Sequence, residues 1–387
     1  MKSVFEFSIK YFKRLDKTLL LLCLMASASS VFLLYTMYYN GVNPAVVSSR
    51  NWIMQLLSSG VGVIFALVLA GINYRFLSKI WFIPAALGLT LSLLLFTSLG
   101  VRTPGAPDLN WLDLGFIEIQ PSAFLRVAFV LTFATHINKV SDRLNEIKHM
   151  SLLCLHGAIP AGLVFIQEDQ GTTVILIGIF LIMLFAAGLS WKYIAAGIVA
   201  TPVILYFLWN VVAQQHHKDR ILVLFDREMQ ESEMLGTFYQ QWGGLRALSS
   251  GGLTGKGFFG GEEAEYVHVY AIHNDFMFAY VGMVAGFVGC ILAVLLLMSI
   301  CFRTIIASGT SKDFLGRMLC LGVFAIIFFE SAVNIGMVLA ITPVAGSQLP
   351  FISAGGSTSL ALWLAIGLVL SVRFHRRREH HMFYEDD

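Results

Sequence analysis

The chain has 387 residues, of which 57% are hydrophobic and 13% are charged, and its formal net charge is +2. Soluble globular domains carry roughly 25% charged residues, so this composition excludes an ordinary soluble protein and indicates an integral membrane protein. A net charge this small does not indicate a nucleic-acid partner. All five cysteines lie in apolar runs without disulfide or metal-ligand spacing, and we interpret them as small buried side chains.

Apolar segments of membrane-spanning length recur along the whole chain. A spanning helix needs about 20 mostly apolar residues. By this criterion the sequence predicts an all-α fold, a bundle of about ten transmembrane helices in one polytopic domain of residues 1–387. The predicted helices are Thr18–Tyr39, Trp52–Asn73, Ile80–Leu99, Ala123–Asn138, Ser151–Ile166, Thr172–Ala187, Tyr193–Val212, Phe276–Phe302, Phe314–Leu339 and Ser357–Val372. The fifth and sixth are short, and a polar tetrad at residues 167–170 divides them.

The distribution of lysine and arginine predicts the orientation of this bundle. If the N-terminus is cytoplasmic, 18 of the 26 lysines and arginines fall on the inner side of the membrane. By the positive-inside rule, both termini are therefore predicted to be cytoplasmic, including the basic tail of residues 373–387. The same orientation places the long polar segment of residues 213–272, between the seventh and eighth helices, outside the membrane.

The long segment 213–272 is the main polar interruption of the chain. A loop of this length inside a compact membrane protein is usually functional or disordered, and its glycines, aromatic residues and charges favour a function. Its stretch SSGGLTGKG resembles a phosphate-binding loop but does not match the G-x-x-x-x-G-K-[ST] motif. A weaker interpretation is that the glycines bring backbone N–H groups and Lys256 close to a diphosphate. Arg220 and Arg246 are further candidates to stabilise such an anion.

The connection before the fourth predicted helix contains Trp111 and the sequence Gln-Pro-Ser at residues 120–122. These residues could form an interfacial tryptophan and a helix start, in which proline is favoured, or they could contact a substrate. Arg126 lies one turn further on, where it could extend outward or meet an anionic head group. Asp169, in the polar tetrad, either caps the sixth helix or takes part in a functional site.

Two further acidic residues stand at positions where a carboxylate is unusual. Asp275 follows His273 at the predicted outer end of the eighth helix, where it could act as N-cap, as a general base, or as both. Glu330 lies in the middle of the ninth predicted helix, with Asn334 one turn later on the same face. An acid at this depth either lines a cavity or is a protonated side chain bonded to a neighbouring helix.

Taken together and in this order, the motifs resemble those of the SEDS family (shape, elongation, division and sporulation), and its RodA branch more than its FtsW branch. The stretches that carry the resemblance are NWLDLGFIEIQPS, QEDQGTTVILIGIFLIMLFAAGLSWKY, RILVLF, the pair Tyr239-Gln240, SGGLTGKG, HNDFMFAYVG, NIGMVLAITPVAG and LPFISAGGS. They are distributed over most of the chain, which makes their joint specificity high.

The resemblance implies a peptidoglycan glycosyltransferase that polymerises lipid II, the undecaprenyl-diphosphate-linked disaccharide peptide, outside the bacterial cytoplasmic membrane during cell elongation. The implied partner is a class B penicillin-binding protein that crosslinks the product. Asp275 corresponds to the family's catalytic acid, and a divalent cation on Asp275, Mg²⁺ or Mn²⁺, is the one cofactor compatible with this interpretation. The residues that we predict to contact the substrate are Trp111, Gln120, Ser122, Arg126, Asp169, Arg220, Arg246, Lys256, His273 and Glu330.

At several positions the chain departs from the family's pattern. The glutamate that follows Gln-Pro-Ser in the family is Ala123 here, and the proline of its QPD motif is Glu168. The other differing positions are Tyr270, Ala271, Asn274, Met283, Val284 and Ala354.

Two other functions are open at this point. A flippase or other transporter of lipid-linked precursors would suit ten helices and an intramembrane acid, although the halves show no convincing repeat of the kind found in transporters. A catalytically weakened scaffold that recruits a penicillin-binding protein would suit the missing acidic residues. Glycan polymerisation by the purified protein separates these alternatives.

Overall fold

The computed structural model describes residues 11, 13–102, 108–115, 118–233, 236, 238–260, 266–267, 269 and 271–376. The helices are α1 (Lys17–Tyr39), α2 (Ser49–Gly71), α3 (Tyr74–Lys79), α4 (Phe82–Leu94), α5 (Pro121–Val140), α6 (Ile147–Ile166), α7 (Gln170–Ala186), α8 (Trp191–Phe207), α9 (Gln215–Leu222), α10 (Arg227–Ser232), α11 (Tyr239–Ser250), α12 (Met277–Gly309), α13 (Phe314–Val338) and α14 (Gly356–Phe374). Three strands, β1 (Gly100–Arg102), β2 (Leu109–Asp113) and β3 (Glu118–Ile119), lie between α4 and α5.

Eight of the described helices are long and apolar enough to cross a membrane, namely α1, α2, α5, α6, α8, α12, α13 and α14, and α4 and α7 are apolar but shorter. Each of the ten predicted segments overlaps one of these ten helices, so the prediction of an all-α polytopic membrane protein is confirmed. Most bounds differ from the prediction by a few residues, and the largest difference is at α12, which ends at Gly309 instead of Phe302. α4 ends at Leu94 instead of Leu99, and α6 begins at Ile147 instead of Ser151 because polar residues can extend a helix beyond the hydrocarbon.

The small antiparallel sheet between α4 and α5 is not predicted by the sequence. Its strand order is β1-β2-β3, and Trp111 of β2 pairs with Val101 of β1. The backbone N–H of Leu109 donates to the carbonyl of Gln167 at 3.0 Å, which ties the sheet to the turn between α6 and α7. Strands of 3, 5 and 2 residues are too short to show the alternation on which strand prediction depends.

α14 lies at the centre of the bundle, whereas α8 lies at its edge. In the most apolar 18-residue window, 78% of the residues of α14 are buried but none of those of α8. α14 packs closely against α2, where a Cβ on Gly62 would come within 2.7 Å of Trp363 Cδ1 and a Cβ on Gly367 within 3.0 Å of Ala66 Cα. Small residues permit this approach, and van der Waals packing is a main source of helix association in membranes.

An ionic cluster joins the beginning of the bundle to its end. Asp16, which caps α1, accepts a hydrogen bond from Arg303 of α12 at 2.7 Å and lies 3.2 Å from Nε of Arg373 at the end of α14. The start of α1 and the end of α14 therefore lie on the same face of the bundle, as an even number of crossings requires. The assignment of this face to the cytoplasm stays a prediction.

The described part of segment 213–272 is not the open loop that the sequence suggested, because it contains the three helices α9, α10 and α11. α11 packs against α12 and α13. Its Gln241 is 1% exposed and donates through Nε2 to the carbonyl oxygens of Met337 (3.1 Å) and Thr342 (2.9 Å). Gly244 faces an aromatic ring at the start of α12, so no larger side chain fits there. The segment is thereby held against the bundle.

Candidate active site

A cleft of about 1500 Å³ opens at the end of the bundle where α2, α5, α12 and α14 begin. Its walls come from the starts of these helices, the small sheet, α9, and the loop before α14. Five of the predicted site residues line it: Trp111, Gln120, Arg220, His273 and Asp275. Apolar side chains from α2, α5 and α14 also line it, namely Met54, Leu57, Val61, Phe124 and Leu360. A concave site that combines a large apolar surface with a few polar groups is typical of ligand binding.

Asp275 lies in a short turn whose conformation is fixed by hydrogen bonds. The carbonyl of Ala271 accepts from the backbone N–H groups of Asn274 (3.1 Å) and Phe276 (3.2 Å). Asn334 of α13 donates through Nδ2 to the carbonyl of Asp275 at 2.7 Å. Phe276 occupies the N-cap position of α12, so the interpretation of Asp275 as the cap is wrong. Asp275 instead lines the cleft.

The surroundings of Asp275 change its acidity. Burial, and then the carboxylates of Asp108 and Asp169, raise the pKa of Asp275 to about 7. Asp275 keeps part of its surface open to the cleft. A carboxylate whose pKa lies near the working pH is suited to accept a proton from a substrate, because it is ionised and still basic.

His273 lies in the same turn but is a neutral neighbour of Asp275. It is 8% exposed, and burial lowers its pKa to about 4. Its carbonyl accepts from the backbone N–H of Ala354 at 2.9 Å, which joins the turn to the loop before α14. The structure therefore places His273 at the cleft, as predicted, without the positive charge that would attract a phosphate.

The predicted cations are divided between the cleft and other places. Arg220 of α9 lines the cleft, and its charge lowers the pKa of Asp108, which burial and Asp169 raise. Arg246 is exposed on α11, outside the cleft lining. Two arginines of the cleft are not predicted from the sequence, namely Arg50 at the start of α2 and Arg102 of β1. They lie in two separate connections between predicted helices, and their place on the predicted outer side was their one signal in the sequence.

Arg126 lies inside the bundle, and the prediction that it extends to the surface is wrong. Its Nη1 is 2.6 Å from Oε1 of Glu330 on α13, and the two side chains are 7% and 2% exposed. Neither residue lines the cleft. Glu330 therefore fits neither predicted role, because it is the partner of a buried cation. A glutamate at position 123, one turn before Arg126, would have been a local partner, but Ala123 stands there.

Asp169 and Ser122 lie outside the cleft lining, whereas Gln120 is part of it. Asp169 is 4% exposed and caps α7 by accepting from the backbone N–H of Thr172 at 2.9 Å, as the capping interpretation expected. Ser122, which is 1% exposed, donates to Oδ2 of Asp169 at 3.4 Å. Gln120 lines the cleft and accepts through Oε1 from the hydroxyl of Thr358 at 3.1 Å. Of these three predicted residues, only Gln120 reaches the cleft.

The glycine-rich stretch 251–257 binds protein backbone, which contradicts the idea that its amides cradle a diphosphate. α12 is interrupted at Gly286, whose φ is +64°. The stretch pairs with α12 across this break: the N–H groups of Lys256 and Gly257 donate to the carbonyls of Met283 and Val284, both at 3.0 Å. In return, the carbonyls of residues 252 and 253 accept from the N–H groups of residues 287 and 288.

The glycines of this stretch are required by close contact. A Cβ on Gly251 would overlap the carbonyl oxygen of Gly282, and one on Gly255 would overlap that of Val284. The stretch therefore supplies hydrogen-bond partners for the backbone groups of α12 that lose their helical partners at the break. Backbone groups inside a membrane require such partners. Lys256 is partly buried here and does not line the cleft.

Among the residues that the structure describes, Asp275 is not part of a cluster of three or more side chains that could bind the predicted cation. The three side chains of the ligand-forming types His, Cys, Asp and Glu that lie within 4.8 Å of one another are Glu168, His216 and His217. Asp275 is not among them. A cation at Asp275 would depend on oxygens of the substrate, as Mg²⁺ commonly does when it meets phosphates.

Comparisons with known proteins agree with this fold and these motifs. The family model of the cell cycle proteins FtsW, RodA and SpoVE matches residues 16–378. The chain is 32% identical over 268 residues to the peptidoglycan glycosyltransferase MrdB of Escherichia coli K12. This match covers 69% of this chain and 71% of the relative. It is 30% identical over 326 residues to the probable peptidoglycan glycosyltransferase FtsW of Trichlorobacter lovleyi, with 82% of each chain covered.

Solved structures share the same architecture. A chain from a peptidoglycan synthase complex, studied for the coordination of polymerization and crosslinking, superposes with a TM-score of 0.78 at 20% identity, over 94% of this chain and 99% of that one. The rod shape determining protein RodA of Thermus thermophilus gives a TM-score of 0.67 at 20% identity, over 94% and 98%. With its motifs, its helical bundle and the match over residues 16–378, this chain belongs to the FtsW/RodA/SpoVE (SEDS) family.

Proposed function

We propose that this chain is a peptidoglycan glycosyltransferase that polymerises lipid II in the cleft, with Asp275 as the general base. The observation that carries the proposal is the position of Asp275: a carboxylate with a pKa of about 7 lines a cleft that also presents Arg220. The relatives named peptidoglycan glycosyltransferase MrdB and FtsW support the reaction class.

The proposed reaction is a single displacement at a sugar carbon. Asp275 accepts the proton of the acceptor hydroxyl, and the oxygen forms a bond to the anomeric carbon of the donor sugar. The bond from that carbon to the diphosphate breaks, and undecaprenyl diphosphate leaves with the bonding electrons. One carboxylate base suffices for such an inverting displacement, by analogy with inverting glycoside hydrolysis. Arg220 would stabilise the charge on the leaving diphosphate.

The lining of the cleft suits the two halves of such a substrate. Polar and charged groups line the cleft together with Asp275 and Arg220, and a diphosphate and sugars would bind among them. Apolar residues from α2, α5 and α14, among them Leu57, Phe124 and Leu360, offer a surface for an isoprenoid chain. A divalent cation bound by Asp275 and the diphosphate would neutralise the leaving group, and this stays a proposal.

The location and the partner are also part of the proposal. The excess of lysine and arginine on one side supports a cytoplasmic position for both termini, which would turn the cleft outward. The fold shared with a chain of a synthase complex that couples polymerization to crosslinking supports a class B penicillin-binding protein as the partner.

The flippase alternative loses one of its supports in the structure. Glu330 would favour a transporter if it were an unpaired acid in the membrane, but it pairs with Arg126 at 2.6 Å. The scaffold alternative is left to experiment. We expect the purified protein, supplied with lipid II and a class B penicillin-binding protein, to form glycan strands that are separated by gel electrophoresis. Formation of no glycan, with a partner whose own crosslinking is intact, would favour the scaffold.

A further inference from the structure

Three metal-ligand side chains meet beside the cleft, where the start of α9 approaches the turn between α6 and α7. Glu168 belongs to the turn, and His216 and His217 belong to the first turn of α9. One ligand atom of each residue lies within 4.8 Å of those of the other two, and all three residues are partly buried. The two imidazole rings are 3.9 Å apart between centroids. Their place next to the cleft follows from His216, which lines it.

An unpaired atom in this cluster indicates a ligand. Nε2 of His216 is buried and has no hydrogen-bond partner in the part of the chain that the structure describes. A buried polar atom without a partner is costly, and such an atom in a native protein calls for an explanation such as an ion or a water. A cation that accepts the lone pair of this nitrogen is one explanation, and the two neighbouring ligand types point to a metal.

We propose that Glu168, His216 and His217 together bind one Zn²⁺ ion. Two imidazole nitrogens and one carboxylate oxygen are a ligand set that zinc takes in proteins, with the fourth tetrahedral position left to water. Bonds of about 2.0–2.2 Å place tetrahedral ligand atoms roughly 3.4 Å apart. The cluster would therefore close slightly around the ion, by side-chain rotation.

The charges and hydrogen bonds around the cluster permit this binding. Arg220, one turn after His216 on α9, repels a cation, but its charge also acts on the carboxylate of Asp108, and Glu168 contributes a negative charge next to His217. The backbone N–H of Gln214 donates to Nδ1 of His217 at 3.4 Å. Zinc at Nε2 would put a proton on Nδ1 and break this bond, and zinc at Nδ1 would replace it. At 3.4 Å the bond is weak, so its loss is a small cost.

The ion would connect two parts of the cleft wall. His216 and Arg220 are four residues apart and share one face of α9. Zinc held by Glu168 would therefore fix that face of α9 against the α6–α7 turn, and so fix Arg220 in the cleft. The binding itself does not depend on the proposed glycosyltransferase activity.

The test is zinc binding by the full-length protein in detergent, purified through a tag without histidines and stripped of metal by a chelator. Titration against a chromophoric zinc chelator gives the stoichiometry and the affinity, and the visible absorption of bound Co²⁺ reports tetrahedral coordination. We expect one tight site in the wild type. Glu168→Gln and His217→Ala should each weaken binding by at least about tenfold, as loss of one ligand from a small site does.

Two controls make the result specific. Asp219 lies on the same helix, but its carboxylate accepts a hydrogen bond from Gln215 and is not part of the cluster. The variant Asp219→Asn should therefore bind zinc as the wild type does. A variant with His380→Ala and His381→Ala removes the other histidine pair of the sequence and should also bind normally. Wild-type affinity in both Glu168→Gln and His217→Ala, loss of binding in the tail variant, or no stoichiometric binding at all would overturn the proposal.

Discussion

Arg126 of α5 and Glu330 of α13 form an ion pair inside the helix bundle, with 2.6 Å between Nη1 and Oε1. The pair is almost inaccessible to water, since the side chains are 7% and 2% exposed. It holds together two helices that pack in the middle of the bundle. The acidic partner of Arg126 therefore comes from a helix that is distant in the sequence. The position one turn before Arg126, where a glutamate could pair with it, is occupied by Ala123.

The first prediction concerns this pair. Arg126→Met or Glu330→Met alone leaves one buried charge without its partner, and each should destabilise the protein by roughly 3–5 kcal/mol. The double variant should be close to the wild type, because apolar residues often replace a buried pair at little cost. Thermal unfolding of the purified proteins in detergent measures the three changes. If the double variant is as unstable as the sum of the two single ones, the residues do not act as a pair.

The second prediction concerns the glycine-rich stretch that pairs with α12. Gly251→Ala should destabilise the protein by roughly 1–3 kcal/mol or more, because the added Cβ overlaps the carbonyl of Gly282 and the core must shift. Gly60→Ala on α2, where a Cβ meets no atom within 4 Å, is the control and should be neutral or slightly stabilising, because alanine is the better helix former. Thermal stability and membrane yield give the comparison. Equal stability of both variants would contradict the close pairing of residues 251–257 with α12.

The third prediction separates the cations. Arg220→Ala should reduce lipid II polymerisation roughly 10²-fold, because a group that stabilises the leaving charge is lost. Arg246→Ala should leave the rate unchanged, because Arg246 is exposed and outside the cleft lining. Initial rates at saturating lipid II, with protein levels matched, make the measurement. A rate lost in Arg246→Ala and kept in Arg220→Ala would mean that the diphosphate binds elsewhere.

The fourth prediction follows from the pKa of Asp275, which burial, Asp108 and Asp169 raise to about 7. Because the base must be ionised, the polymerisation rate should fall about tenfold per pH unit below 7 and level off above it. His273 does not contribute in this range, since its pKa is about 4. A pH profile of single-turnover rates tests this. A flat profile between about pH 5.5 and 8 would exclude Asp275 as the titrating base.

The same shift has a consequence for stability. The folded state holds the proton of Asp275 more tightly than the unfolded state, whose carboxyl has an ordinary value of 3.8. The contribution of this group to stability is therefore full below pH 3.8 and declines as the pH rises to about 7. Asp275→Asn lacks this decline, so above pH 7 the variant should be at least as stable as the wild type.

Most of the fold can be predicted from hydropathy and from the distribution of basic residues, because a membrane requires long apolar helices. The ten helices could therefore be predicted. The partner of Arg126 could not, since Glu330 lies on another helix, and only the packing of α5 against α13 brings the two together. The helices α9 to α11 were missed because their residues are mostly polar and their length is short.

The candidate site was predictable where the residues lie next to a break in the apolar pattern. Asp275, His273, Gln120 and Trp111 stand at such breaks, and the structure places all four at the cleft. Lys256 was misjudged because a glycine-rich sequence looks the same whether its amides bind an anion or a backbone carbonyl. These amides bind carbonyl groups next to the break in α12. That contact joins two segments distant in the sequence, so no local sequence pattern predicts it.

The central claim is that Asp275 is the general base, and Asp275→Asn tests it most directly. The matched control is Asp226→Asn, an exposed capping residue of α10 in segment 213–272, where asparagine caps equally well. We measure lipid II polymerisation by each purified variant with the partner synthase, together with thermal stability. Asp275→Asn should lose about 10²–10⁴-fold in rate at undiminished stability, while Asp226→Asn keeps the wild-type rate. Polymerisation by Asp275→Asn at close to the wild-type rate would contradict the claim.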